Sequence, residues 1–90
     1  EQTREIGITK ISPIQEVEGV KVVKMELLNR IGIYPEIKRR QFYVANFKIM
    51  PKEMIGQKFG KFYGERAIIS YKVLCPSPLI LTLTKFKKLE

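Results

Sequence analysis

Residues 67–86, AIISYKVLCPSPLILTLTKF, constrain the fold most. Two runs rich in β-branched, aromatic and leucine side chains, 67–74 and 79–86, are divided by Cys75, Pro76, Ser77 and Pro78. The two prolines cannot continue a strand ladder, so the runs read as separate strands. In the second run Ile80, Thr82, Thr84 and Phe86 alternate with Leu79, Leu81, Leu83 and Lys85, which requires at least one buried face. Cys75, the single cysteine, excludes an internal disulfide and reads as a small buried hydrophobe.

The remaining segments are shorter. Ser12 as N-cap, Pro13 at the first helical position and Gln15 three residues after the cap predict a short helix, with Gly19 ending it. Val20, Val22 and Val23 tilt residues 20–28 toward a strand. Pro35 makes 30–37 extended chain, an edge or a connector. Residues 41–49 fit either one strand with a weak centre or a tight hairpin at Asn46, with Phe42 in the core and Tyr43 on the opposite face. Pro51 marks a turn or a short helix start. The expected fold class is α+β: a small antiparallel β-sheet with a short N-terminal helix and extended basic segments.

Ninety residues make a single domain, 1–90, with a thin core. No run is long enough to cross a bilayer as a helix, and no signal-peptide pattern is present. Glu1 in place of an initiator methionine reads as a processed or trimmed chain. Net charge is +8, from 17 Lys/Arg against 9 acidic residues, all of them Glu. Residues 1–27 carry 4 basic and 5 acidic side chains, hence −1, and residues 28–90 carry 13 and 4, hence +9. A one-sided excess of this kind predicts a polyanionic partner, of which nucleic acid is the commonest. The near-neutral segment 1–27 reads as protein-facing. With neither His nor Asp in the chain, histidine acid–base chemistry, Ser-His-Asp triads and His metal sites are excluded. The chain reads as a non-enzyme with no cofactor, metal or small-molecule substrate. Twelve Ile and twelve Lys against two Ala suit AT-rich coding, as in organelle genomes.

Residues 54–62, MIGQKFGKF, hold two glycines four apart with lysines around them. A P-loop needs G-x-x-x-x-G-K-[ST], but here the glycines are one residue too close and Phe62 stands at the hydroxyl position. Lys58, Lys61, Glu65 and Arg66 exclude a membrane G-x-x-x-G interface. The G-x-G-x-x-G dinucleotide spacing is absent. On its own the block reads as a basic surface loop with glycines at tight φ positions.

Taken with Ile33, Tyr34, Pro35 and Glu36, the block resembles the family of bacterial-type small-subunit ribosomal protein nineteen. Members carry an I-L-P-E-like segment and then a block like M-V-G-H-K-L-G-E-F ending in T-R. Met54, Ile55, Gly56, Lys58, Phe59, Gly60, Phe62 and Arg66 match in register, and Arg30 corresponds to one of the paired arginines before the first element. Gln57, Lys61 and Glu65 depart from the pattern. The resemblance covers roughly residues 30–66 and looks like a divergent mitochondrial-type member, with 28–66 as the family-like core and 67–90 as C-terminal strands with a basic end.

The resemblance implies a structural constituent of the small ribosomal subunit head. Its partners would be small-subunit rRNA and the head protein thirteen family, in a mitochondrial ribosome, or alternatively a plastid or bacterial-type cytoplasmic one. Gly56 and Gly60 would let the backbone approach RNA, with Lys58 and Lys61 on phosphates. Lys38, Arg39 and Arg40 form a basic edge beside Tyr43, which would stack on an unpaired base. Lys48, Lys52 and Arg66 extend the same positive surface. Two other readings stay open: a free-standing basic nucleic-acid-binding module, and a peripheral subunit of another assembly with an acidic partner.

Overall fold

A computed structural model describes residues 1–28, 34, 37, 39–60 and 64–89. Six strands are present: β1 (Gln2–Ile11), β2 (Gln15–Val17), β3 (Val20–Leu27), β4 (Gln41–Ala45), β5 (Glu65–Pro76) and β6 (Leu79–Lys88). They form one sheet ordered β1-β5-β6-β4-β3-β2, and a further β1–β3 pairing closes five of them into a barrel. All pairings are antiparallel except β4 with β6. Numbering only the five barrel strands, the ring reads 1-2-3-5-4-1 with its third and fifth strands parallel. That is the strand order of the OB fold, a five-stranded Greek-key barrel.

The α+β expectation is therefore overturned: the described residues contain no α-helix, only two 3-10 turns at Phe47–Ile49 and Lys52–Met54. The expected N-terminal helix is a β-hairpin. Glu18 and Gly19 both have positive φ, 53° and 76°, the backbone of a two-residue I′ turn that joins twisted strands. The Ser12 hydroxyl, instead of capping a helix, accepts the Lys24 N–H at 2.8 Å and donates to the Pro13 carbonyl. The two strands expected at 67–74 and 79–86 do form, as β5 and β6, and Asn46 ends β4 in a left-handed conformation (φ 56°) while its amide donates to the Leu83 carbonyl at 2.7 Å.

Strand β1 carries the closure. Residues 2–8 pair with β5 and residues 8–11 with β3, with a register shift between Ile8 and Lys10. Buried Gly7 precedes that shift, as expected where a strand bends at a barrel corner. Inward side chains from every barrel strand fill the interior, among them Ile6, Ile8, Met25, Phe42, Val44, Ile69, Tyr71, Leu81 and Leu83. A one-residue register shift at Thr84 keeps Phe86 on the same inner side as Leu83.

The connection from β4 to β5 holds the glycine block. Met50 and Met54, each 3% exposed, enter the barrel core, and Ile55 and Phe59 pack against it. Gly56, with φ 82°, makes the turn that sends residues 57–59 along β1. There the Ile11 N–H donates to the Gln57 carbonyl at 2.9 Å and the Phe59 N–H to the Thr9 carbonyl at 2.8 Å. Gly64 lies against the β1 corner, where an added Cβ would stand 2.5 Å from the Ile8 carbonyl oxygen, at φ 59°. An added Cβ at Gly60 meets nothing within 4 Å. Gly64→Ala is expected to cost about 2–4 kcal/mol, read as a thermal midpoint roughly 10–25 °C lower. Gly60→Ala should stay within about 0.5 kcal/mol of wild type; comparable losses in the two variants would contradict this account of the block.

Candidate nucleic-acid interface

Alternation along β3 and β4 decides which side chains leave the barrel. Val23, Met25 and Leu27 point inward from β3, so Val22, Lys24 and Glu26 point out; Phe42 and Val44 point inward from β4, so Gln41, Tyr43 and Ala45 point out. Lys24 is the cross-strand partner of Tyr43, and Tyr43 lies beside Ile80 of β6. Outside the barrel, Val22, Ala45 and Ile80 make a second buried apolar cluster, against which Val17, Val20, Tyr43 and the partly buried Cys75 pack. Tyr43 is only partly buried against this cluster.

Beyond Tyr71, where its pairing with β1 ends, β5 continues as an arm paired, among the described residues, only with β6, and the hairpin turns at Ser77 and Pro78, which are joined by a cis peptide. Val73 and Leu74 on that arm are 45% and 53% exposed, large apolar side chains left in solvent near the tip. A register shift between Val73 and Cys75 leaves Leu74 without a cross-strand partner. Such bulges re-aim side chains beside binding sites.

Between the arm and the outer face of β3–β4 lies a groove of roughly 620 Å³. One side is Lys24, Arg39, Gln41, Phe42 and Tyr43, and the other is Val73 with Pro76, Ser77, Pro78 and Leu79. The described lining has two cations, one accessible aromatic ring, an apolar wall and no carboxylate. The chemistry of such a surface suits a flat apolar group that carries negative charge beside it. In OB barrels the face of the second and third strands and the loops between the first two and the last two strands form the ligand surface; the segments at those places in the strand order here are β3, β4, residues 12–19 and the β5–β6 turn.

Of the residues expected from sequence, Arg39 and Tyr43 meet in this groove. Arg40 is exposed just before β4, with its carbonyl accepting the Leu27 N–H at 2.7 Å. Lys48 and Lys52 are exposed on the two 3-10 turns, and Lys58 on the strip along β1. Gly56 and Gly60 belong to that same connection, where Gly56 serves the turn. Arg66 is ion-paired with Glu5, with both Nε and Nη2 donating to Oε2. Arg30, Lys38 and Lys61 lie outside the described residues, as do Ile33, Pro35, Glu36 and Phe62. Sequence reasoning missed Lys24 and the arm residues Val73, Pro76, Pro78 and Leu79. The valine alternation around Lys24 was the available signal for the first; the exposed apolar arm had none, because its exposure depends on where the barrel ends.

The face assignment is testable in urea melts. Phe42→Ala should cost about 3–5 kcal/mol, whereas Lys24→Gln and Arg39→Gln should each change stability by no more than about 0.5 kcal/mol. No protein family, curated protein or solved structure matches the chain.

Proposed function

We propose that this barrel binds single-stranded nucleic acid through the groove between the β3–β4 face and the β5–β6 arm, and that it acts by binding, without catalysis. The observation that carries the reading is the juxtaposition of Lys24, Arg39 and a partly buried Tyr43 with an apolar wall on the outer β3–β4 face of an OB-type barrel. An unpaired base stacks on Tyr43 and shields the wall from water, while Lys24 and Arg39 take the adjacent phosphates. Duplex is disfavoured because its bases are already stacked and cannot fill an apolar groove. A net charge of +8 steers any nucleic acid toward the protein, and the groove supplies the preference for single strands.

Residence on a small ribosomal subunit is the narrower form of this function. Its support is the resemblance of residues 30–66, within which Met54, Ile55, Gly56 and Phe59 also have structural work in this barrel. Sedimentation of native lysate after a high-salt wash separates the two forms. A resident protein stays with the subunit, and a free-standing module remains at the top of the gradient.

Fluorescence anisotropy with a labelled oligouridine and a duplex of equal length tests the general reading. Single strand should bind more tightly than duplex, and Tyr43→Ala should weaken single-strand binding by about 1–3 kcal/mol, roughly 5- to 150-fold. Equal affinity for the two ligands together with an unaffected Tyr43→Ala variant would overturn it.

A further inference from the structure

The strip formed by residues 57–59 on β1 brings two lysines together. Lys10 and Lys58 are antiparallel bridge partners, flanked by the hydrogen bonds from Ile11 to Gln57 and from Phe59 to Thr9. They are thus a non-hydrogen-bonded pair, the closer antiparallel arrangement, with Cα atoms about 4.5 Å apart and side chains on one face. Neighbouring Ile11 is fully buried, so Lys10 points out of the barrel. Like charges directly opposite one another are destabilising, and neither lysine is ion-paired among the described residues.

The pair is in line with the groove. Lys10 is the register partner of Glu26 on β3, Glu26 is the partner of Gln41 on β4, and Gln41 lines the groove. The row Lys58–Lys10–Glu26–Gln41 therefore crosses adjacent strands on one outer face. Three strand spacings separate its ends, about 14 Å, or at most about four nucleotides at the roughly 3.4 Å rise of a stacked strand.

Building on the groove reading above, we propose that the bound single strand continues from the groove across β3 and β1, and that Lys10 and Lys58 clamp a phosphate at its far end. The ligand is then a strand of up to about six nucleotides, within the roughly 4–16 that one OB barrel accommodates. A phosphate between the two ammonium groups turns a repulsive pair into two charge-assisted contacts. Glu26 is the one described carboxylate in the row; its Oε1 accepts from the Gln41 amide, and it opposes phosphates that pass over it.

The test is anisotropy with oligouridines of increasing length, for wild type, the Lys10→Gln/Lys58→Gln double variant and Glu26→Gln, across a salt series. Wild-type affinity should climb up to about six nucleotides and then level off. The double variant should bind the hexamer at least about tenfold more weakly, with the slope of log K against log salt reduced by about 1.4, and should bind the trimer as wild type does. Glu26→Gln should bind the hexamer more tightly. Without ligand at low salt, Lys58→Gln alone, which leaves Lys10 opposite Glu26, should melt about 1–4 °C higher than wild type, because the repulsion is gone. Equal loss for trimer and hexamer, or no loss for either, overturns the clamp while leaving the groove reading intact. A lowered melting point overturns the like-charge argument, and failure of wild type to bind oligouridine of any length overturns both readings.

Discussion

The double pairing of β1, with β5 along its first part and with β3 along its last, is the constraint on which the rest of the structure depends. Ile8 is where the two registers meet, facing both Glu65 and Leu27. Without that corner the sheet has two open edges, and unpaired edges expose hydrogen-bonding groups that recruit other chains. With it, Val23, Met25 and Leu27 are committed to the interior, and Lys24 and Glu26 are committed to the outside. The same corner sets the path of the β4–β5 connection, because Gly64 lies on the Ile8 carbonyl where no side chain fits. The glycine-rich block is thus spent partly on covering the barrel, with Met54 and Phe59 as its apolar anchors.

Charge placement follows from the same geometry. On the β1–β5–β6 side cations meet carboxylates: Arg66 bonds Glu5, and Lys88 lies 3.9 Å from Glu65. Both pairs are solvent-exposed, where such bridges contribute about 0–1 kcal/mol. On the β3–β4 side, the described groove lining holds Lys24 and Arg39 with no carboxylate among them. The positive surface that faces a groove is therefore smaller than a net charge of +8 suggests, and it borders apolar surface. That combination favours a ligand with flat apolar faces strung between negative charges over a polyanion without bases.

How much was legible in the sequence follows from the range of each signal. Strands β5 and β6 were readable because strand patterning and the proline-rich break are local. The opposed roles of Phe42 and Tyr43 were readable because a strand has a period of two. The hairpin at 15–22 was misread because Ser12, Pro13 and Gln15 carry a helix-start pattern, and the backbone groups those residues would have capped found partners in β3 instead. Strand β1 was passed over because its closing role depends on pairings 57–69 residues away in sequence. Within the candidate site, Arg39 and Tyr43 were found by residue type. Lys24 was overlooked because it lies in a segment whose net charge is −1, and net charge over a segment says nothing about which face a single lysine occupies. The exposure of Val73 and Leu74 goes with the end of the β1 pairing at Tyr71, beyond which β5 has β6 as its one strand neighbour among the described residues.

The central claim is that one face of a closed barrel recognises single strands, and amide-resolved NMR titration with a hexamer of uridine tests it most directly. The account predicts the largest shift changes at Lys24, Arg39, Gln41, Tyr43 and Val73, with the outer residues of β5 near Glu5 and Arg66 unchanged. Changes concentrated on the 3-10 turns around Lys48 and Lys52, or spread evenly over all basic residues, would contradict it.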